Sequence, residues 1–168
     1  MRTSVSKAIS VMIAATALSL VACGSPSDVG SSGEGRTRLS LNKSYAEFGE
    51  YVIHINGMAS TSLQPFIADR YGIARNENRG VVNLVVLKKT DTVGVNKPVK
   101  AVVNMSAANL TGQVKNIAVA EVEDGESIYY LGQISVDHRE TINFDIDVRP
   151  ENGPRVLPVR FTYQFYVD

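Results

Sequence analysis

From Tyr45 onward, apolar and polar residues alternate along most of the chain. The pattern is clearest at the end, where Leu157, Val159, Phe161, Tyr163, Phe165 and Val167 occupy odd positions. Pro158, Arg160, Thr162, Gln164 and Tyr166 lie between them. A period of two marks a strand with one buried face. Ile142, Phe144, Ile146 and Val148 repeat the pattern, and the turn formers Pro150-Glu151-Asn152-Gly153-Pro154 separate the two runs. The pair therefore predicts an antiparallel hairpin. Centring its turn on Gly153-Pro154 sets Ile146 opposite Phe161 and Asp147 opposite Arg160. A slip of two residues keeps the same faces inward and sets Asp145 opposite Arg160 instead.

Earlier strands read similarly. Tyr51, Ile53 and Ile55 alternate with Val52, His54 and Asn56, and Val99, Ala101, Val103, Met105 and Ala107 form another apolar face. Val81 to Leu87 is apolar on both faces except at Asn83, as in a central strand. Two apolar runs, Ile117 to Val122 and Ile128 to Val136, flank Glu123-Asp124-Gly125-Glu126, a hairpin signal. One segment departs from the period. Pro65 at a first helical position, Gly72 past the end, and Leu63, Ile67 and Tyr71 four apart predict a helix near residues 64–71. About seven strands with one short helix and no βαβ alternation predict an all-β fold, an immunoglobulin-like β-sandwich, with a closed barrel as the alternative.

The first 23 residues follow another logic. Arg2 and Lys7 precede an apolar run from Ala8 to Ala22, too short for a comfortable membrane span, and Leu20-Val21-Ala22-Cys23 follows the pattern of a bacterial lipobox. The resemblance implies cleavage before Cys23 and diacylglycerol on its sulfur, with palmitate as a fatty acid of the anchor. Gly24, rather than Asp, implies sorting to the outer membrane. The expected organisation is a lipoprotein signal peptide at 1–22, the lipidated Cys23 with a Gly/Ser tether at 23–42, and a β-sandwich domain at 43–168. Cys23 is the only cysteine, so once acylated it leaves no thiol for a disulfide or a catalytic nucleophile. The tether should span about 20 Å as a flexible coil.

Several motifs together resemble a proteobacterial family of exported proteins with a domain of unknown function. They are Phe48-Gly49-Glu50-Tyr51-Val52-Ile53-His54-Ile55-Asn56, Tyr71-Gly72-Ile73 with Arg75, and Asn78-Arg79-Gly80. Asn109-Leu110-Thr111-Gly112-Gln113, Ile128-Tyr129-Tyr130 and the run from Phe161 to Asp168 complete the set. The resemblance implies a periplasmic immunoglobulin-like domain and no particular activity.

Charge narrows the partners. The whole chain carries 17 basic and 17 acidic residues, and loss of Arg2 and Lys7 leaves 15 against 17, a net charge of −2. No basic block is present, so nucleic acid is not expected as a partner. The two histidines, His54 and His138, have no histidine or cysteine at metal-ligand spacing, so no metal, cofactor or catalytic group is assigned. Asp145 and Asp147 share a strand face and read as solvated charge. Arg70, Arg75, Asn76 and Arg79 cluster after the helix and are the candidate ligand or partner site, since Arg forks suit carboxylate and phosphate. The expected function is a noncatalytic binding or assembly module. It is held in the membrane by its lipid, faces the periplasm and engages an envelope protein. The alternative is a small periplasmic hydrolase.

Overall fold

The computed structural model describes residues 36–39, 43–92, 94–153 and 155–167. The signal, Cys23 and most of the expected tether lie outside them. Two sheets face each other. Sheet I has the order β1 (Thr37–Leu39), β11 (Leu157–Gln164), β10 (Thr141–Pro150), β6 (Ala101–Asn109), β7 (Val114–Lys115). Sheet II has the order β2 (Tyr45–Phe48), β3 (Tyr51–Ala59), β4 (Arg79–Lys89), β9 (Ser127–Ser135), β8 (Ile117–Asp124). The short β5 (Asn96–Pro98) pairs with the far end of β4. Seven strands have eight or more residues: β3, β4, β6, β8, β9, β10 and β11. In chain order these seven form the ABED and CFG sheets of an immunoglobulin-like sandwich. The other four strands have two to four residues, too few to show a period in the sequence.

The inward faces make one core. Ile53, Ile55, Val82, Leu84, Val86 and Ile134 from sheet II meet Ile142, Phe144, Ile146, Val159 and Phe161 from sheet I. An aromatic chain runs through it: Phe144 stacks on Phe161 with ring centroids 6.0 Å apart, and Tyr163 meets Phe165 edge-on at 4.9 Å. Strand glycines make room for these rings. A Cβ on Gly57 would lie 2.6 Å from Tyr163 Cδ1, and one on Gly80 would strike the Phe165 ring. Tyr130 spans the sandwich, its hydroxyl accepting the Ala101 N–H at 2.6 Å. Its burial also raises the phenol pKa.

The structure corrects three readings. The last hairpin takes the slipped register, with Phe144 opposite Phe161 and Asp145 opposite Arg160. That register stacks Phe144 on Phe161 and aligns the Arg160 fork with Asp145, which leaves Asp147 to Arg36. The β8–β9 turn is Gly125-Glu126, not Asp124-Gly125, since Asp124 pairs with Ser127. Only Gly125 takes positive φ, +62°, as a two-residue II′ turn requires. Finally, Thr37–Leu39, expected in the tether, form β1, which pairs parallel with β11. With a single apolar side chain, Leu39, this strand has no period of its own, but Leu39 is buried in the core.

Candidate functional site

The helix forms where expected. Helix α1 (Pro65–Arg70) has Pro at its start, with Gln64 and Tyr71 flanking it. It follows a 3-10 turn at Ser60–Ser62 and lies over the outer face of sheet II, where Ala68, Ile73, Val81 and Leu131 make a second, smaller core. Polar contacts hold the segment down. Arg70 and the Tyr71 hydroxyl both bond Asp124, at 2.6 and 2.8 Å. The Tyr71 phenol pKa is raised, first by this bond to Asp124 and then by burial. Gln133 donates to the Gly72 carbonyl at 3.0 Å, and Ser60 Oγ takes the Asn76 N–H at 2.9 Å.

Between helix and sheet lies an apolar pocket of about 240 Å3. Its floor is Met58, Val81, Asn83, Tyr129 and Leu131, from β3, β4 and β9. Its wall is Leu63, Ile67, Tyr71 and Ile73, so the residues spaced by four in the sequence do share a face. Asn83 is the only lining residue with a side-chain amide, and its Oδ1 is buried without a hydrogen-bond partner. Buried polar atoms are nearly always paired, so such an atom calls for an account. Asn83 also borders a neighbouring polar groove with Ser44, His54 and Asn56. It pairs with Asn56 across β3–β4 and with Leu131 across β4–β9. In the sequence it was visible as the one polar residue in an apolar run. What the sequence did not show is that α1 covers that face and leaves a hollow beside it.

The four residues expected to form a site are engaged by different neighbours. Arg70 bonds Asp124, Arg75 donates to the Thr61 carbonyl at 2.9 Å, and Asn76 ties Ser60 and caps the Asn78 N–H. Arg79 begins β4 opposite Ser135, and its Nε is buried with no partner. Three of the four thus brace the loop around α1, and Arg79 lies on the same face of β4 as Asn83. His54 packs against Tyr45 with ring centroids 5.8 Å apart. His138 Nδ1 contacts the Val167 carbonyl, and its ring meets Tyr166 edge-on.

The outer face of sheet I is polar and internally paired. Arg160 forks onto Asp145 at 2.7 and 3.1 Å, and Arg36 reaches Asp147 at 2.8 Å. The bond from Arg160, outweighing some burial, holds the Asp145 carboxyl below the ordinary carboxylate range. Thr162 donates to Asn143 Oδ1 at 2.7 Å. At one end, Glu140 receives Lys115, the Asp137 N–H and the Asn109 amide. Burial pushes the Glu140 carboxyl up, but these three partners outweigh it and hold its pKa low. Among the described residues no group of His, Cys, Asp and Glu could hold a metal ion, and no helix is long and apolar enough to cross a membrane.

The geometry defines a β-sandwich domain with a pocket on the outer face of one sheet. The comparisons then place it. The model of the family described as a domain of unknown function, DUF4426, matches residues 45–168, and the chain belongs to that family. The crystal structure of a DUF4426 family protein from Pseudomonas aeruginosa PAO1 is 33% identical, with a TM-score of 0.64, over 74% of this chain and 94% of that one. A family 123 glycoside hydrolase from Clostridium perfringens is 8% identical with a TM-score of 0.34, over 69% of this chain and 27% of that one, and supports no inference. No curated protein matches the chain.

Proposed function

We propose that this chain is a noncatalytic binding module of the bacterial envelope, lipid-anchored through Cys23 and facing the periplasm, and that its binding site is the pocket under α1. One observation carries the site: a hollow of about 240 Å3 with apolar walls and the Asn83 residue in its lining. A pocket that combines apolar lining with one placed polar group is the usual form of a ligand site. The noncatalytic reading is supported by the histidines, which are occupied by Tyr45, Val167 and Tyr166 rather than by a nucleophile. The anchor is supported by the Leu20-to-Cys23 pattern.

The pocket is tested with toluene as an apolar probe on the 15N-labelled full chain, referenced to detergent alone. Saturable shifts at the amides of Val81 and Leu131, absent in Leu131→Trp, are expected; no saturable shift overturns the site. The anchor is tested by metabolic labelling with palmitate: Cys23→Ser should lose the label, and label retained on that variant refutes lipidation at Cys23.

A further inference from the structure

We infer that the outer face of sheet II carries a second site, an open groove beside the pocket that takes a neutral sugar ring. This site goes beyond the binding reading above and does not depend on the pocket under α1. The groove has a volume of about 390 Å3 and is lined by Ser44, His54, Ile55, Asn56, Asn83 and Val85. Strand register builds it. His54 and Asn56 stand two apart on β3, and β4 sets Val85 opposite the first and Asn83 opposite the second. Polar side chains opposite each other on antiparallel strands are close enough to pair. On sheet I such a pair closes, with Thr162 bonded to Asn143. At the groove it stays open. Ser44, His54 and Asn56 are exposed, and among the described residues their side chains have no hydrogen-bond partner. The His54 ring packs against Tyr45, which places it without engaging its nitrogens.

The chemistry of the lining sets the ligand class. A hydroxyl, an imidazole and two amides each offer a donor and an acceptor. None of the lining residues carries a fixed charge, and Lys43 lies over the Tyr45 ring rather than in the groove. A charged ligand finds no counter-charge there. An apolar one would strip water from the polar groups without replacing it. Hydroxyls donate and accept at once, so they match the whole set. A sugar ring presents several of them on a rigid frame, at little ordering cost, and can turn its C–H face to Val85. The volume lies at the lower end of the range for ligand pockets, about 300–1,000 Å3, and suits a short saccharide.

The experiment titrates glucose, galactose, mannose and N-acetylglucosamine, with glucuronate as the charged comparison. Each is added to the 15N-labelled full chain in a detergent without a sugar headgroup. At least one neutral sugar should give saturable shifts at the His54, Asn56 and Val85 amides and bind more tightly than glucuronate. Asn56→Ala and His54→Ala should each weaken that sugar about fivefold, the worth of one hydrogen bond. Asn104→Ala, at an exposed position on sheet I, should leave the affinity unchanged. Spectra unaltered away from the substituted residue show that each variant is folded. In Leu131→Trp, which fills the pocket under α1, sugar binding should persist, so failure of that pocket and failure of this groove are read separately. No saturable shift with any of the four neutral sugars, shifts confined to other residues, or full affinity in both Asn56→Ala and His54→Ala overturns the groove. Glucuronate binding as tightly as the neutral sugars, or more so, overturns the assignment of a neutral ligand.

Discussion

The outer faces of the two sheets carry similar residues to different ends. On sheet I, Asn143, Asp145, Asp147, Arg160 and Thr162 pair with one another or with Arg36. Each polar atom that is drawn partly out of water has a partner within its own face. On sheet II, Asn83 occupies a comparable mid-strand position, but its carbonyl oxygen is buried with no partner. The difference lies in what covers each face. Water reaches the first, and short side chains complete each other there. The helix segment overlies the second, and no protein group there completes the Asn83 carbonyl oxygen. A satisfied polar ladder is a surface that keeps itself soluble and in register; an apolar face overlain by a helix segment is not such a surface.

The largest expected effect tests whether both faces depend on the same core. Phe144→Ala should cost about 3–5 kcal/mol in denaturant unfolding by leaving a cavity between the sheets. It should also abolish toluene binding on sheet II if the fold is lost as a unit. The next effect concerns the strongest polar cluster on sheet I. Glu140 and Lys115 are 13% and 16% exposed, and Glu140→Ala should cost roughly 2 kcal/mol by leaving the lysine and two amides unpaired. Because the folded pKa of Glu140 lies below its unfolded value, its stabilisation is present above the unfolded pKa and is lost as pH falls through the folded one. Acid titration of stability should therefore be shallower in Glu140→Gln.

The sharpest contrast substitutes one residue type on each face. Asn83→Leu should raise stability by about 1 kcal/mol, since it replaces an unpaired polar group by an apolar one of similar size. Asn143→Leu should lower stability by about the same amount, since it strands the Thr162 hydroxyl. If the two changes have the same sign, the distinction between the faces fails. The smallest effect is expected at Arg36. Its pair with Asp147 is 28% and 42% exposed, so Arg36→Ala should cost about 0.2–1 kcal/mol, and less at high salt.

The period-two pattern made the core legible because alternation reports burial directly. Phe144, Ile146, Val159 and Phe161 are all inward and buried. The helix was legible from Pro65 and the spacing of Leu63, Ile67 and Tyr71. The register of the last hairpin was not, because a shift of two preserves the pattern and only the pairing of Phe144 with Phe161 and of Asp145 with Arg160 separates the choices. Gly57 and Gly80 were visible as strand glycines, a sign of close approach, but the rings they admit come from Tyr163 and Phe165, far away in sequence. For the expected cluster of Arg70, Arg75, Asn76 and Arg79, the sequence did not show the partners: Arg70 bonds Asp124 and Arg75 bonds the Thr61 carbonyl, both outside the cluster.

The parallel pairing of β1 with β11 has a consequence for the order of folding. Thr37 pairs with Val159, a sequence separation of 122 residues, and β11 lies between β1 and β10. Closing so long a loop has an entropic cost that local contacts must already have offset. A chain delivered from its N-terminus therefore holds Leu39 out of the core until nearly all of the sequence has arrived. The β10–β11 hairpin forms from neighbours in sequence and offers the edge on which β1 docks. The first strand made should be the last to lock, and until then Leu39 and the apolar edge it covers on β11 remain open to any chaperone or membrane surface nearby.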